Sequence, residues 1–378
     1  MLLLAATVLE GLAGLRALAR MATTFGGSAL APSPPAAAGS IDAIVPVLNE
    51  ERRLAPALAA LAACGPSLGT ILVVDGGSTD RTRDVVLAAR ARDSRIRLVD
   101  AGLPGPGWNG KAWNLAAGLA LSQATWIATI DADVRIGAGL LDAAVARAQR
   151  DRLVLLSVAT RQELADIGAA LLHPALLTTL VYRAGLPNVV TGDPGRVQAN
   201  GQVMVASRET LRETGALAAA RASRCEDVTI ARTVAASGAR VGFFEGDATV
   251  RMHDSGAECA ANWPRSLTLL DGFVGRGKLA FALAEVLFAQ ALPLPTLALI
   301  ALDGGHAPYA RTMLAIAVAL VAMRLGVLAG TRRAYPHAPP AYWLSPLADL
   351  PAVALVIASA LRRTHRWRGR TLVTEGVA

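Results

Sequence analysis

The chain has 378 residues, 53% hydrophobic and 17% charged. That is too apolar for an ordinary soluble enzyme and too charged for a pure membrane bundle, so a soluble domain joined to membrane segments fits best. The net charge of +8 rests almost wholly on arginine, Lys111 and Lys278 being the only lysines. It suits phosphate-bearing substrates and anionic lipid headgroups. Aromatic residues are 4% and no basic run is interleaved with stacking side chains, so nucleic acid is not an expected partner.

Residues 2–18 are mostly apolar, interrupted by Glu10 and Arg16. At ~1.5 Å per residue the run barely spans a ~30 Å hydrocarbon core, and 1–20 is expected as a membrane anchor or an interfacial helix. A cleaved signal peptide is not expected, because no basic residue precedes the apolar run. The stretch 21–40 reads as a linker, since Ala31-Pro32-Ser33-Pro34-Pro35 forms neither helix nor central strand. Cys64, Cys225 and Cys259 lie far apart with no C-x-x-C pair. Neither a zinc site nor a disulfide framework is expected, and the compartment reads as reducing.

From Ile41 strands alternate with helices. Strands are predicted at 41–47, 70–75, 96–99 and 126–130, with helices at 50–63, 82–92 and 111–121. Repeated β-α units of this spacing imply a parallel, doubly wound α/β sheet, whose ligands collect at the carboxyl ends of the strands. Further strands are predicted at 153–159 and 203–206 and a strand pair at 240–244 and 248–252, with helices from 209, at 226–237 and at 263–273. The apolar stretch 164–186 is either a core helix or one lying in the membrane interface.

Beyond residue 279 the chain reads as membrane. The stretches 279–302 and 312–329 are long enough to span, Pro293 and Pro295 breaking or kinking the first; 346–361 is marginal and holds Asp349. The basic clusters at 331–333 and 362–370 both ask to be cytoplasmic. They agree only if 346–361 does not cross or the Pro293/Pro295 region re-enters. The expected arrangement is a multi-pass inner-membrane protein with its catalytic domain, 41–278, in the cytoplasm, a membrane-associated set at 279–361 and a basic tail at 362–378.

The chemistry centres on Thr129-Ile130-Asp131-Ala132-Asp133-Val134. A D-x-D at a strand end directs carboxylates at a divalent metal, Mg²⁺ or Mn²⁺, shared with a diphosphate. On its own it would read as a solvated turn, but other segments accompany it. In Pro46-Val47-Leu48-Asn49-Glu50-Glu51, Pro46 bends the chain out of the sheet, and Asn49 or Glu50 caps the next helix or bonds a nucleotide hydroxyl. In Asp75-Gly76-Gly77-Ser78-Thr79-Asp80, the glycines admit a ring, Asp75 accepts from a base N–H, and Ser78 or Asp80 caps a helix. Gly107-Trp108-Asn109-Gly110-Lys111 is a glycine-rich helix entry with Lys111 as a point charge for phosphate, not a Walker loop. Cys225-Glu226-Asp227-Val228 supplies carboxylates at a helix start, either as a dipole-matched cap or as a base for an acceptor hydroxyl.

Taken together, over residues 41 to about 275, these segments resemble the family 2 glycosyltransferases. That resemblance implies a GT-A (nucleotide-diphospho-sugar transferase) α/β fold, here with C-terminal transmembrane helices. It places the nucleotide-binding aspartate at Asp75, whose usual Asp-Asp-Gly-Ser context is here Asp-Gly-Gly-Ser. Asp131 would lie towards the nucleotide, Asp133 on the metal, and Asp227, with Glu226, at the catalytic base. Asn200-Gly201-Gln202 is similar to the segment that closes on the sugar, giving Gln202 a donor role. In place of the processive Gln-x-x-Arg-Trp stands Trp263-Pro264-Arg265, which argues for a single transfer. Trp263 and Arg265 then contact acceptor or diphosphate, or are structural. His253 is either a packed histidine or a further metal ligand.

The arrangement of anchor, domain and hydrophobic set resembles bacterial membrane glycosyltransferases associated with hopanoids and glycosylated carotenoids. The expected reaction is inverting, metal-dependent transfer of a sugar from a UDP- or GDP-linked donor to a lipid acceptor. A polyprenyl-phosphate sugar synthase and a non-catalytic nucleotide-binding scaffold are the alternatives.

Overall fold

The computed structural model describes all residues except Gly305, Ala307, Pro308, Arg363, Arg368, Gly369 and 374–378; within 364–373 it describes backbone alone. Much of the basic tail therefore lies outside the described residues. Helix α1 (Leu2–Thr24) leads through an extended stretch to β1 (Ile41–Val47), α2 (Leu54–Ala62), β2 (Leu68–Asp75), α3 (Thr82–Arg90), β3 (Ile96–Asp100), α4 (Gly110–Leu121) and β4 (Trp126–Ile130). The short β5 (Val134–Ile136), α5 (Leu140–Asp151), β6 (Leu155–Gln162), α6 (Ile167–Ala184) and β7 (Val189–Thr191) follow. Next come β8 (Val203–Ser207), α7 (Arg208–Glu213), α8 (Ala216–Ala219), α9 (Glu226–Ala236), β9 (Val241–Val250) and α10 (Gly256–Leu267).

Period-2 alternation organises the sheet. From β1, Ile41, Ala43, Val45 and Val47 meet Leu54, Leu58 and Leu61 of α2 on one face. Ile44 turns to the other face, against Leu72, Val74, Leu115 and Ile127. Each fully buried leucine or isoleucine contributes about 1.5–3 kcal/mol.

The sheet has nine strands in the order β3-β2-β1-β4-β8-β6-β9-β5, with β7 beside β9. The expected parallel arrangement holds for β3, β2, β1 and β4, and again for the pair β6 and β9. Strand β8 runs antiparallel between β4 and β6, making the sheet mixed. Hydrophobic alternation fixes which face a residue takes, but it carries no information about strand direction.

Three other expectations are corrected. The strand pair at 240–252 is one continuous strand, β9. Gly246 lies within it, where a Cβ would lie 2.7 Å from Leu140 Cδ1 and 2.8 Å from Val158 Cγ1, so the residue serves close packing. The helix expected at 263–273 is α10, which begins much earlier. Ser255 Oγ accepts from Glu258 N and Glu258 Oε2 accepts from Asp254 N, a capping signal present in the sequence. The helix after β1 starts at Leu54 rather than at 50. Asn49, at φ 56°, and Glu50 donate their backbone N–H groups to Ser78 Oγ and Thr82 Oγ1, which holds 49–53 in turns.

Beyond α10 the chain forms α11 (Arg276–Val286), a π-helical turn (Leu287–Ala291), α12 (Pro293–Leu302), α13 (Ala310–Thr331), a 3₁₀ segment (Pro340–Ala348) and α14 (Asp349–Leu361). The backbone of β10 (Thr364–Trp367) and β11 (Arg370–Val373) forms a separate antiparallel ribbon. Among the described residues 4 helices are long and apolar enough to cross a membrane: α1, α6, Ala310–Ala334 and Pro340–Leu361. The stretch around Pro293 is a pair of helices bent by 44°, a broken span or re-entrant loop. Its π turn and Pro293 together account for the break.

Polar contacts, several of them buried, link these helices. Arg16 and Arg20 of α1 pair with Glu285 of α11, Arg20 donates to Tyr182 O of α6, and Thr296 donates to Glu10. Arg324 of α13 pairs with Asp349 of α14 at 2.8 Å, with both side chains almost wholly buried.

Candidate active site

The loops after β1, β2 and β4 converge on the starts of α4 and α9, and each approach has a local cause. Beyond β4, Val134 N donates to Asp131 O, closing a turn that carries both aspartates. Antiparallel pairing with β8 aligns Ile130 with Val203, and Asp131 N donates to Gln202 O. Asn109 caps α4 by accepting from Ala112 N at 2.8 Å, and its Nδ2 donates to Ala220 O and Ser223 O. One side chain thus fixes the start of α4 to the loop that leads into α9.

Lys111 stands at this junction. Its Nζ is 2.7 Å from Asp131 Oδ1 and 3.1 Å from Glu226 Oε1. Burial alone would lower its pKa, but Asp131, Glu226 and Asp227 outweigh burial and hold the ammonium above its usual range. The lysine expected on phosphate here bridges the D-x-D and the Glu226-Asp227 pair.

Asp227 is half-buried at the cavity wall. Its Oδ1 accepts from Val228 N at 2.8 Å and from Cys225 Sγ at 3.0 Å, and its Oδ2 accepts from Gly201 N. Burial and the neighbouring Glu226 raise its pKa, against the pull of Lys111. The Cys225 thiol is itself pushed well up by burial and by Asp227, so it stays protonated and able to donate. All three cysteines are free and buried. Gly201 is fixed by crowding, since a Cβ there would lie 2.9 Å from both Asp227 Cβ and Lys111 Nζ.

Asp133 lies beside Arg53, whose Nη1 is 3.6 Å from its Oδ2. Burial first, then the charge of Asp131, push its carboxyl up to about 7, while Arg53 pulls it down. The folded chain therefore binds this proton more tightly than the unfolded chain. The resulting penalty is absent below the ordinary carboxylate range, grows as pH rises and is complete above about 7. In protein kept in chelator, Asp133→Asn is expected to raise stability at about pH 8 by up to ~4 kcal/mol and to leave it unchanged near pH 4. Thermal unfolding at the two pH values checks this, and equal gains at both would exclude a charge effect.

The same observations test the fit of a divalent cation. No three His, Cys, Asp or Glu side chains among the described residues form a ready metal cage. Mg²⁺ and Mn²⁺, however, commonly take one or two carboxylates and complete their shell with substrate phosphate and water. Two half-buried carboxylates that repel each other meet that requirement, and Asp131 and Asp133 would hold the ion. His253 is buried, its pKa is lowered by burial, and its Nδ1 has no hydrogen-bond partner among the described residues.

The other expected residues divide. Pro46, Glu50, Gln202, Trp263 and Arg265 line the cavity that holds Lys111, Asp131, Asp133, Glu226, Asp227 and His253; Asn49 and Asp75 do not. Asn49 Oδ1 accepts from Thr79 N and Glu50 faces Arg53, so neither caps α2 as expected. Asp80 Oδ1 accepts from Thr82 N at the entry to α3. Asp75 is buried, with Oδ1 accepting from Ser78 N and Oδ2 3.5 Å from Arg83. Gln202 Oε1 accepts from Thr160, Asn200 and Gln162, which holds the side chain firmly. Trp263 stacks on His173 at 4.0 Å between ring centroids.

Arg265 lies close to Arg224, and burial holds both guanidinium groups below their usual range. Arg53, His173, Arg224 and Cys225 were not singled out as site residues from the sequence. Only the Arg224-Cys225 adjacency to Glu226-Asp227 could have pointed to them.

The cavity measures about 2040 Å³ and continues from these carboxylates to apolar side chains of α1, α6 and α13. Residues 42–185 match the model for the family described as Glycosyl transferase family 2. No curated protein matches the chain. Among solved structures, the chain is similar to a mannosyltransferase from Pyrobaculum calidifontis in complex with GDP-Man and Mn²⁺, at 18% identity and TM-score 0.57, covering 96% of this chain and 98% of that one. It also matches glucosyl-3-phosphoglycerate synthase from Mycobacterium tuberculosis in complex with Mn²⁺, UDP and glucosyl-3-phosphoglycerate, at 19% identity and TM-score 0.40, covering 68% of this chain and 85% of that one.

Proposed function

We propose that this chain, whose residues 42–185 match the model for glycosyl transferase family 2, is a glycosyltransferase that moves one sugar from a nucleotide diphosphate donor to a membrane lipid, with inversion. The observation that carries this reading is the single cavity joining Asp131, Asp133 and Asp227 to the apolar walls of α1, α6 and α13. A polar reaction centre open to an apolar chamber suits an acceptor with a hydroxyl head and a hydrophobic body, of the hopanoid, carotenoid or glycolipid type.

Asp227 takes the acceptor proton, held in place by Gly201 N–H and the Cys225 thiol. Attack from its side, opposite the leaving diphosphate, inverts the anomeric carbon. Asp131 and Asp133 would hold the divalent ion. When bound, such an ion supplies positive charge against the charge that develops on the departing diphosphate. Lys111 and Arg265 add fixed positive charge within the same cavity.

A second reading keeps the donor chemistry and takes a polyprenyl phosphate as acceptor. Arg224 and Arg265 favour it, because two adjacent guanidiniums lining the cavity suit a phosphate head. Mild acid separates the readings, since a sugar phosphodiester is labile where a simple glycoside survives.

The test is nucleotide diphosphate release by detergent-purified protein with Mn²⁺, a panel of UDP- and GDP-sugars, and membrane lipid extract added or withheld. Release from one donor is expected to rise with the extract and to fall about 10²–10³-fold in Asp133→Ala. Release that is equal in wild type and variant would refute the metal role of Asp133.

A further inference from the structure

Within the cavity, α13 contributes an unusual wall. Gly326 and Gly330 lie one helical turn apart, so both share a face, and both line the cavity. At either position an added Cβ would meet no atom within 4 Å. The wall opposite is built from Leu18 and Met21 of α1 and Leu180 and Val181 of α6. It is held in register by Arg20, which donates to Tyr182 O, and by Thr24 Oγ1, which accepts from Leu186 N.

Where this apolar arm approaches the reaction centre stand His173, Trp263 and His253. His173 is 4% exposed, its Nδ1 engages Tyr335 Oη at 2.9 Å, and its Nε2 has no hydrogen-bond partner among the described residues. The same holds for Nδ1 of His253, which is 8% exposed. Two enclosed imidazoles without partners for these atoms are costly unless something polar meets them.

We propose that the arm between α1, α6 and α13 is the binding site for the hydrophobic body of the acceptor, with Gly326 and Gly330 setting the width it accepts and His173 and His253 receiving its polar head. The proposal rests on the lipid-transfer reading above and specifies where that lipid lies. Continuity with the carboxylate end of the cavity identifies the occupant, because a body held here presents its head towards Asp227. Width is set by the missing side chains: an added Cβ at either glycine meets no neighbour, so a leucine there projects into the arm and narrows it.

The experiment uses full-length protein in phosphatidylcholine nanodiscs and a long straight-chain alcohol bearing a terminal diazirine. Photolabelling is read by peptide mass spectrometry. In wild type the label is expected on cavity-lining residues of α1, α6 and α13. Gly326→Leu and Gly330→Leu should each reduce it about tenfold, the loss expected when two methylene groups are displaced. Gly326→Ala should give a smaller loss, which controls for misfolding. Val318→Leu, on α13 but outside the cavity, should leave labelling unchanged.

Labelling confined to outward-facing residues such as Leu12 and Leu15, or unaltered in both leucine variants, overturns the proposal. Absence of metal-dependent nucleotide release from wild type would instead strike the transferase chemistry, and the labelling pattern is read independently of it.

Discussion

Asp227→Asn is expected to lower kcat by about 10²–10⁴-fold while leaving the KM for the donor within a few-fold. Removing a base costs the proton transfer, whereas donor binding relies on other groups. The substitution also mismatches its surroundings. Asp227 Oδ1 accepts from Val228 N and Cys225 Sγ, and Oδ2 accepts from Gly201 N. An amide nitrogen must then face one of these donors, and turning it towards Gly201 N–H sacrifices the fewest bonds. Cys225→Ser is the informative companion, because a hydroxyl keeps a donor at Oδ1 where alanine would not. In wild type, kcat should fall as pH drops through a pKa above the ordinary carboxylate range. That is the direction in which burial and Glu226 move Asp227, and only the ionised form accepts a proton. Steady-state kinetics of donor consumption with saturating acceptor checks both points. A rate equal to wild type in Asp227→Asn would remove this residue from the chemistry.

Asp349→Ala is expected to destabilise the helical bundle by about 3–5 kcal/mol, because it leaves a buried guanidinium without its partner. Arg324 donates to both carboxylate oxygens, from Nε at 2.8 Å and from Nη2 at 2.9 Å, and Nη2 also reaches Ser345 Oγ. Gln290, on the π-helical turn, donates to the same carboxylate and to Ala175 O of α6. Five elements, α13, the 3₁₀ segment, α14, the π-helical turn and α6, therefore meet at one charge pair. Replacing both partners, Arg324→Met with Asp349→Leu, should recover most of the loss, since a well-packed apolar pair carries no desolvation cost. Thermal unfolding in detergent reads both variants. A double variant as unstable as the single would show that the pair is needed for more than charge balance.

The catalytic half of the molecule was legible where local chemistry dictates structure. Alternation of apolar residues located β1 and β4 to the residue, and the D-x-D fell at a strand end as its company suggested. Strand direction was not legible, because β8 alternates identically whether it runs with or against β4. The division of β9 into a strand pair has a related cause: Gly246 makes room for Leu140 and Val158, and a glycine that makes room looks like one that makes a turn until the neighbour is known. The convergence of Lys111 with Glu226 depends on Asn109 bonding a loop more than a hundred residues away. No local pattern encodes that contact. The cavity walls were hidden for the same reason, being shared among helices far apart in the chain.

The extended stretch after α1, expected as a linker, is fastened along its length. Arg147 donates to Ser28 O, Leu30 N to Glu245 O, and Ala36 N to Asp142 Oδ1, while Leu30 and Ala36 pack on the core. Such a segment acts as a ruler. On the proposed reading it would set a fixed stand-off between the helices that receive a hydrophobic body and the aspartate that meets its head. Extra length at the far end of a tail would then be tolerated, whereas a spacer inserted between body and hydroxyl would carry the reacting oxygen past its mark.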